Sequence, residues 1–372
     1  MFFIFLAIKN KFKGFPFGAV FLCFIILFLG LYNLYSATSA DLTPGKFHTQ
    51  VFYISIGTIL LFLIGLFIDL KEIERISFPS YLIVCLLLTL VDIFGHNAKG
   101  AERWLTLGFI RIQPSEFTKL VIILMIAKSL SQMKGVYEFS IFNLWKQIII
   151  ILIPFILILG QPDLGTASII FFIAAFQLAT LRIYLRSLII ITITAFSSVI
   201  IAWNFFLYDY QKLRVLTFLN PMLDPKGSGY HSLQSMIAVG SGRIWGQGYQ
   251  QGTQAKLRFL PERHTDFVFS VWAEEHGFIG CITFIILYVF FLTFIFQIAE
   301  KAKDNFTALV CIGITAFFSL HFLINVSMVI GIFPVVGVPL TLMSYGGTHM
   351  ITAMCCMGLL VAAERKRHSS AL

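Results

Sequence analysis

Five polar clusters interrupt this otherwise apolar chain, and each contains side chains that can take up protons or bind anions. In chain order they are Lys99–Trp104, Gln113–Lys119, Gln161–Gly165, Pro261–Asp266 and Ser344–Gly347. Carboxylates serve as general bases, and lysine and arginine bind phosphate oxygens. If folding brings the clusters together, they form one site that can deprotonate a nucleophile beside an anionic substrate.

Asp266 is the strongest candidate for the base. It lies where a polar segment ends and the apolar run Phe267–Phe269 begins. A carboxylate at such a boundary is poorly solvated, which raises its affinity for a proton and suits a general base. The position also suits the N-cap of the following helix, and one carboxylate can serve both purposes. His264, two residues earlier, is placed to orient Asp266 or to bind a cation.

Glu116 and Lys119 lie three residues apart in an apolar run, and therefore on one helical face. A lone ammonium group in hydrocarbon costs several kcal/mol, so Lys119 requires a partner, and Glu116 can supply it. Two interpretations stay open on the residues alone. The pair is either a structural ion pair that fixes helix packing, or part of a polar cavity in which Lys119 meets an anionic group.

Other clusters carry candidates with ordinary structural alternatives. Arg103 suits phosphate oxygens, but an arginine followed by Trp104 is also a common interface anchor. Asp163 lies in a tight turn, where it either caps the next helix or adds a second carboxylate to the site. From Pro334 to Gly347 the chain is irregular, and such backbone at membrane depth requires cover by protein or by a cavity.

Membrane-spanning helices must position these clusters. Of the 372 residues, 58% are hydrophobic and 12% are charged, which is too apolar for a soluble protein of this length. Long apolar runs indicate helices, since the strands of a barrel alternate at every second residue. The runs predict about ten spans, near residues 17–36, 51–68, 79–95, 114–131, 145–160, 165–181, 187–208, 267–298, 306–330 and 347–363. The predicted fold is all-α and polytopic.

The chain is predicted to form a single membrane domain over residues 1–372, with one long outer loop at 209–266. With the N-terminus inside, the inner connections hold more Lys and Arg than the outer ones, so both termini are expected to be cytoplasmic. In the loop, Tyr230, Leu233 and Ile237 recur at helical spacing, which predicts an interfacial helix. Five glycines then indicate a bent backbone that approaches its neighbours closely: Gly240, Gly242, Gly246, Gly248 and Gly252.

The net charge of +9 does not indicate a nucleic-acid partner. The basic residues are dispersed in short clusters at span ends, where anionic lipid headgroups bind them. The six cysteines lie in apolar stretches, and no Cys/His spacing resembles a zinc site. Since the sequence also lacks a dinucleotide-binding fingerprint and a phosphate-binding loop, no organic cofactor is expected.

Taken together, the clusters resemble those of the SEDS family, polytopic cell-wall proteins named for shape, elongation, division and sporulation. The resemblance extends from about Gly30 to Ala362, and the stretch Gly252–Phe267 is most similar to the elongation branch. Asp266 matches the family's essential loop aspartate, which implies that it is the catalytic base. The implied substrate-binding residues are Arg103, Gln113, Glu116, Lys119, Asp163 and His264.

Three positions depart from the usual family pattern. Glu102 stands where glutamine is frequent, Arg243 where a glycine is common, and His349 where small residues are usual. These departures leave the expected base unaffected. The detailed loop conformation of the family is not transferred to this chain.

The implied reaction joins lipid II units into β-1,4 glycan strands at the outer face of the bacterial cytoplasmic membrane during cell elongation. The leaving group, undecaprenyl diphosphate, requires charge neutralisation, which Arg103, Lys119 or a divalent cation such as Mg²⁺ or Mn²⁺ can supply. The implied partners are lipid II, the undecaprenyl-diphosphate-linked glycan, a class B penicillin-binding protein and the MreB-linked elongation complex.

Two other classes of function stay open on the residues. A lipid II flippase also needs polar residues within spans, but transporters place their sites near the middle of the membrane between internal repeats. Here the polar residues crowd one end, and no repeat is visible. A non-catalytic scaffold of the cell-wall synthesis complex is compatible with the same composition.

Overall fold

The computed structural model describes residues 14–39, 45–94, 96–98, 101–107, 110–133, 138–224, 227–257, 259–260 and 262–369. Helices dominate these residues, as the composition predicts. The helices that correspond to the ten predicted spans are α1 (Phe17–Thr38), α2 (Gly45–Phe67), α3 (Leu70–Phe94), α4 (Pro114–Ser131), α5 (Trp145–Gly160), α6 (Leu164–Leu178), α7 (Leu185–Ile201), α11 (Val268–Glu300), α12 (Asn305–Val329) and α13 (Gly347–Ser369). The predicted all-α, polytopic fold class is confirmed.

Within the described ranges, eight helical segments are long and apolar enough to cross a bilayer. The other two predicted spans, α4 and α6, differ from these. α6 has 15 residues, and α4 carries Glu116, Lys119 and Lys128 among its 18. Both are covered by neighbouring helices over much of their length, so the charges near the N-terminal end of α4 meet protein partners and not lipid.

The core lies around α13, which is buried along most of its length. It packs against α2 at glycines that allow the two backbones to approach. A Cβ added to Gly358 would lie 2.9 Å from Leu61 O, and one added to Gly65 would lie 2.7 Å from a methyl carbon of Val361. Small residues at helix contacts are typical of membrane bundles, where close packing must replace the hydrophobic effect.

Buried amides join the helices through backbone carbonyl groups. Gln177 in α6 donates from Nε2 to Ile123 O of α4 at 3.1 Å and to Leu309 O of α12 at 3.0 Å. Gln161 donates to Leu88 O of α3 at 3.0 Å. These hydrogen bonds fix the neighbours of α6 at both of its ends, since Gln161 precedes its first turn.

A small antiparallel sheet connects α3 to α4, and the sequence did not predict it. Its strands are β1 (His96–Ala98), β2 (Ala101–Leu107) and β3 (Ile110–Ile112), in the order β1-β2-β3. In this connection, strands of three to seven residues are too short to stand out beside ten apolar helices. Arg103 therefore lies in a strand and not in an irregular loop.

The long loop contains α8 (Asp209–Leu219), α9 (Ser228–Ser241) and α10 (Thr253–Lys256). The helix predicted around Tyr230–Ile237 is confirmed as α9, its position at the membrane interface stays a prediction, and α8 was missed. α9 packs on the bundle: Ser235, fully buried, donates from its hydroxyl to Val329 O of α12 at 2.8 Å. The loop is thus anchored to the spans it connects.

The N-terminal part of α11 is broken at Gly277, where φ is 64°. The break frees backbone groups on both sides, and the preceding glycine-rich segment pairs with them. The hydrogen bonds, donor first, join Gln247 N to Glu274 O at 3.0 Å, Gly248 N to Glu275 O at 3.0 Å, Phe278 N to Arg243 O at 2.9 Å and Ile279 N to Ile244 O at 3.2 Å. A Cβ on Gly277 would lie 2.2 Å from Gly246 N, so the predicted close approach of the glycines is confirmed.

Candidate functional site

Two irregular segments meet at one end of the bundle. We call residues 262–267 the base loop and residues 331–346, between α12 and α13, the re-entrant segment. Tyr345 N donates to His264 O at 2.9 Å, and the Ser344 hydroxyl donates to Thr265 O at 2.6 Å. The predicted irregular entry to the last span therefore contacts the loop that carries the candidate base.

The base loop is also fixed to helices on other sides. Arg263 is almost completely buried and donates from Nε to Ala37 O, in the last turn of α1, at 2.7 Å. Gln50 in α2 donates to Ser344 O at 3.2 Å and accepts from Gly346 N at 3.1 Å. A main-chain oxygen of α1 and a side chain of α2 thereby fix the base loop and the re-entrant segment against the bundle.

Asp266 lies in the base loop directly before Phe267, the N-cap residue of α11, and is half-buried. Its Oδ2 lies 3.4 Å from where a Cβ on Gly337 would stand, so the carboxylate faces the re-entrant segment. Its own carbonyl oxygen accepts from Asn325 Nδ2 at 2.7 Å. The N-cap alternative is not what forms here, because the residue at the cap position is Phe267, which makes no side-chain capping bond.

Asp163 caps α6, as its structural alternative predicted. It accepts from Thr166 N at 3.1 Å and from the Thr166 hydroxyl at 3.0 Å. The turn nevertheless lies beside the re-entrant segment, because a Cβ on Gly165 would stand 2.6 Å from Val336 O. Val336 precedes Gly337, which faces Asp266, so the two aspartates flank the same stretch of backbone.

Glu116 and Lys119 form the predicted ion pair in the first two turns of α4. Lys119 Nζ lies 2.8 and 2.9 Å from the two carboxylate oxygens of Glu116, and Lys119 is only 1% exposed. Nζ also meets Nε2 of His321, from α12, at 3.1 Å. Because His321 Nδ1 pairs with Phe317 O at 2.8 Å, it is the donor there, and Nε2 accepts from the lysine.

His349 completes this buried cluster. Its Nδ1 lies 2.8 Å from Glu116 Oε2, and its Nε2 lies 3.1 Å from the hydroxyl of Thr341. We call Glu116, Lys119, His321, Thr341 and His349 the buried cluster; each is less than 10% exposed. Thr341 belongs to the re-entrant segment. Its contact with His349 therefore joins the buried cluster to the segment whose backbone contacts the base loop.

The remaining predicted site residues take different positions. Gln113 precedes α4, and its N–H donates to the Thr348 hydroxyl at 3.4 Å, which brings the start of α4 to the start of α13. His264 is half-buried, with its ring 5.8 Å from that of Tyr345. Arg103 lies in β2, but its side chain, like all of Lys99, lies outside the described residues.

No metal site is formed by the residues that the structure describes: they contain no group of three or more His, Cys, Asp or Glu side chains placed to hold an ion. The carboxylate oxygens and ring nitrogens of the buried cluster, which could bind a metal ion, already contact one another or Lys119. The described residues therefore do not fit a resident divalent cation.

Two residues of this region were not predicted from the sequence, and a third, His349, stood out only as a departure from the family pattern. His321 and Asn325 stand within the apolar run of α12, and both are 0% exposed. A polar side chain inside a span needs a partner, which is the signal that could have identified both. The identity of the partner, however, depends on which helices become neighbours.

The chain is similar to known proteins over nearly its whole length. A family model for FtsW, RodA and SpoVE, described as cell cycle proteins, matches residues 17–369. The peptidoglycan glycosyltransferase MrdB of Escherichia coli (strain K12) is 36% identical over 346 residues, which cover 92% of each chain.

Two solved structures are similar over nearly the whole chain. The rod shape determining protein RodA of Thermus thermophilus has a TM-score of 0.68 at 28% identity, covering 95% of this chain and 97% of that one. A chain from a peptidoglycan synthase complex, described by its coordination of polymerization and crosslinking, has a TM-score of 0.79 at 30% identity, with 95% and 98% covered.

Proposed function

This chain belongs to the FtsW/RodA/SpoVE family of cell cycle proteins, and from that premise we propose that it is a peptidoglycan glycosyltransferase of cell elongation. Similar proteins bear that activity in their names. The observation that carries the proposed chemistry is the position of Asp266, a half-buried carboxylate that faces Gly337 where the base loop meets the re-entrant segment. A partly desolvated carboxylate on fixed backbone suits a general base.

In the proposed reaction, Asp266 takes the proton from a sugar hydroxyl of the acceptor, lipid II. The resulting oxygen nucleophile attacks the anomeric carbon of the donor glycan, and the bond to undecaprenyl diphosphate breaks. One displacement inverts the anomeric centre, so an α-linked donor yields a β-1,4 bond. Glycosidases add a second carboxyl group as acid, whereas a diphosphate leaves as an anion and needs positive charge instead.

Basic side chains supply that charge in the proposal. Lys119 already binds Glu116 and His321, so direct contact with a diphosphate requires it to exchange one of these partners. Arg103, in β2 at the entry to α4, has the planar fork that suits phosphate oxygens and is proposed as the first ligand. Gln113, Asp163 and His264 are proposed to bind the sugars. A Mg²⁺ or Mn²⁺ ion stays a separate proposal, to which we assign no protein ligand and no step.

The chain is a multi-pass membrane protein. We place it in the bacterial cytoplasmic membrane, with the polar end outside and both termini inside. The basic residues of Arg365–His368 close α13 at the opposite end from the base loop, which supports this orientation. A class B penicillin-binding protein and the MreB-linked complex are the proposed partners; similarity to a chain of a synthase complex supports the first.

The test is polymerisation of labelled lipid II in detergent by the purified protein and a class B penicillin-binding protein. Detergent offers no leaflet to cross, so long glycan strands indicate polymerase activity and not flipping. Asp266→Asn is expected to lower kcat by about 100-fold or more, since general-base catalysis contributes about 10²–10⁴-fold.

Asp304→Asn is the matched control, because Asp304 caps α12 at the other end of the bundle. It is expected to polymerise normally. A folded Asp266→Asn protein that binds its partner and keeps full activity would overturn the proposed base. A parallel chelator series tests the cation: activity that survives removal of divalent ions argues against it.

A further inference from the structure

Asn325 is fully buried in the last turns of α12, and its amide donates two hydrogen bonds to main-chain oxygens. Nδ2 donates to Asp266 O at 2.7 Å and to Val338 O at 2.8 Å. The amide oxygen is buried and makes no hydrogen bond within the described part of the chain. At this position the side chain therefore acts as a double donor.

The two acceptors belong to the residue that carries the carboxylate and to the backbone that the carboxylate faces. One is the carbonyl group of Asp266 itself, from whose residue the carboxylate extends. The other belongs to Val338, directly after Gly337, the residue that the carboxylate faces. A single amide thus holds both the main chain of Asp266 and the main chain of Val338, next to the glycine that the carboxylate faces.

Gly337 shows why this backbone must be fixed. Its φ is +76°, a conformation that favours glycine, and a Cβ there would stand 3.4 Å from Asp266 Oδ2. Irregular backbone at the edge of the membrane has no helical ladder to hold it. The hydrogen bond to Val338 O supplies the support one residue away.

We propose that Asn325 is a positioning residue for the base: it holds the Asp266 carboxylate against the re-entrant segment in the geometry that proton transfer requires. This inference rests on the proposed function, in which Asp266 is the base. Asn325 touches neither the carboxylate nor, in the proposal, the substrate. Loss of the Asn325 amide frees the main chains of Asp266 and Val338 together. A displacement of about 1 Å at the carboxylate can cost about 100-fold in rate.

The chain offers a matched control in Gln177. It is also an amide of 0% exposure that donates from one nitrogen to two backbone carbonyls, and its own oxygen likewise has no hydrogen-bond partner among the described residues. Its acceptors, Ile123 O and Leu309 O, lie away from the base loop. Asn325→Leu and Gln177→Met each remove one such double donor while keeping the approximate shape.

The experiment measures thermal stability and the kcat and KM of lipid II polymerisation for both variants with the partner protein. Both are expected to lose similar stability, but only Asn325→Leu is expected to lower kcat, by about 10- to 100-fold, with KM nearly unchanged. Equal kcat in the two variants would overturn the positioning role.

Asn325→Asp keeps the shape and a polar group, and it decides the matter if Asn325→Leu fails to fold. A carboxylate accepts where this position must donate, so kcat is expected to fall at least about 10-fold; a normal kcat overturns the proposal. Asp266→Asn, measured alongside, separates the two claims. If it is active, the proposed base and the positioning role both fail; if it is inactive while Asn325→Leu matches Gln177→Met, only the positioning role fails.

Discussion

The buried cluster and the base loop lie close together in the fold, but they use their polar groups in opposite ways. In the buried cluster every side chain contacts another member, and all five are nearly inaccessible. In the base loop, hydrogen bonds from Asn325, Ser344 and Tyr345 fix the main chain, while the Asp266 side chain stays half-buried. We therefore expect substitutions in the buried cluster to lower stability and substitutions around the base loop to lower catalytic activity.

Breaking the ion pair of the buried cluster should have the largest effect on stability. Lys119→Met leaves Glu116 charged and buried beside His349, and such a change costs about 3–5 kcal/mol. The double variant Glu116→Gln/Lys119→Met removes both charges and should recover most of that loss. Thermal unfolding in detergent measures the difference. A Lys119→Met protein as stable as the double variant would contradict the structural role of the pair.

His349 tests which contact holds the cluster together. An asparagine amide takes the place of Nδ1, which pairs with Glu116, whereas a glutamine amide takes the place of Nε2, which pairs with Thr341. A hydrogen bond to a charged group contributes about 1.5–3 kcal/mol, more than one between neutral groups. His349→Gln should therefore lower the melting temperature more than His349→Asn. The reverse order would mean that the contact with the re-entrant segment dominates.

The sequence predicted the spans well, because a bilayer demands long apolar helices wherever the chain crosses it. The contact between the base loop and the irregular entry to the last span also follows the prediction, since alternating spans place alternate connections on one side. Glu116 and Lys119 were paired correctly because their contact lies within one helix turn. In contrast, His321 and His349 have partners on another helix, and Asn325 has its partners in the base loop and the re-entrant segment. Residue spacing holds no information about which distant parts of the chain become neighbours.

Gly337→Ala tests the base loop without touching the buried cluster. The positive φ makes alanine unfavourable by about 1–2 kcal/mol, and the added methyl group stands beside the carboxylate. Gly331→Ala is the matched control: its φ is +77°, but its Cβ would meet the side chain of Met236. Similar melting temperatures are expected for the two variants, with a fall of about tenfold in kcat for Gly337→Ala alone. An equal fall in both would assign the effect to general strain.

The smallest effect is expected at the other end of the bundle, where Asp304 pairs with Lys366 at 2.8 Å. Partial burial alone raises the pKa of Asp304, but hydrogen bonds from Lys366 and Thr307 overcome this and hold the pKa below its usual range. The carboxylate therefore stabilises the fold above the pKa it has when unfolded, about 4, and the stabilisation is lost as pH falls through the lower folded value.

The side chain of Asp304 is 38% exposed and that of Lys366 is 27% exposed. The pair should therefore contribute less than about 1 kcal/mol to the free energy of unfolding. Melting temperatures of the parent protein and Asp304→Asn should thus differ slightly at neutral pH and converge in acid. A difference as large as that of Lys119→Met would break the comparison, because an exposed pair would then stabilise the bundle as much as a buried one. Solvent screening weakens exposed ion pairs. The change in melting temperature should therefore be small for Asp304→Asn and large for Lys119→Met.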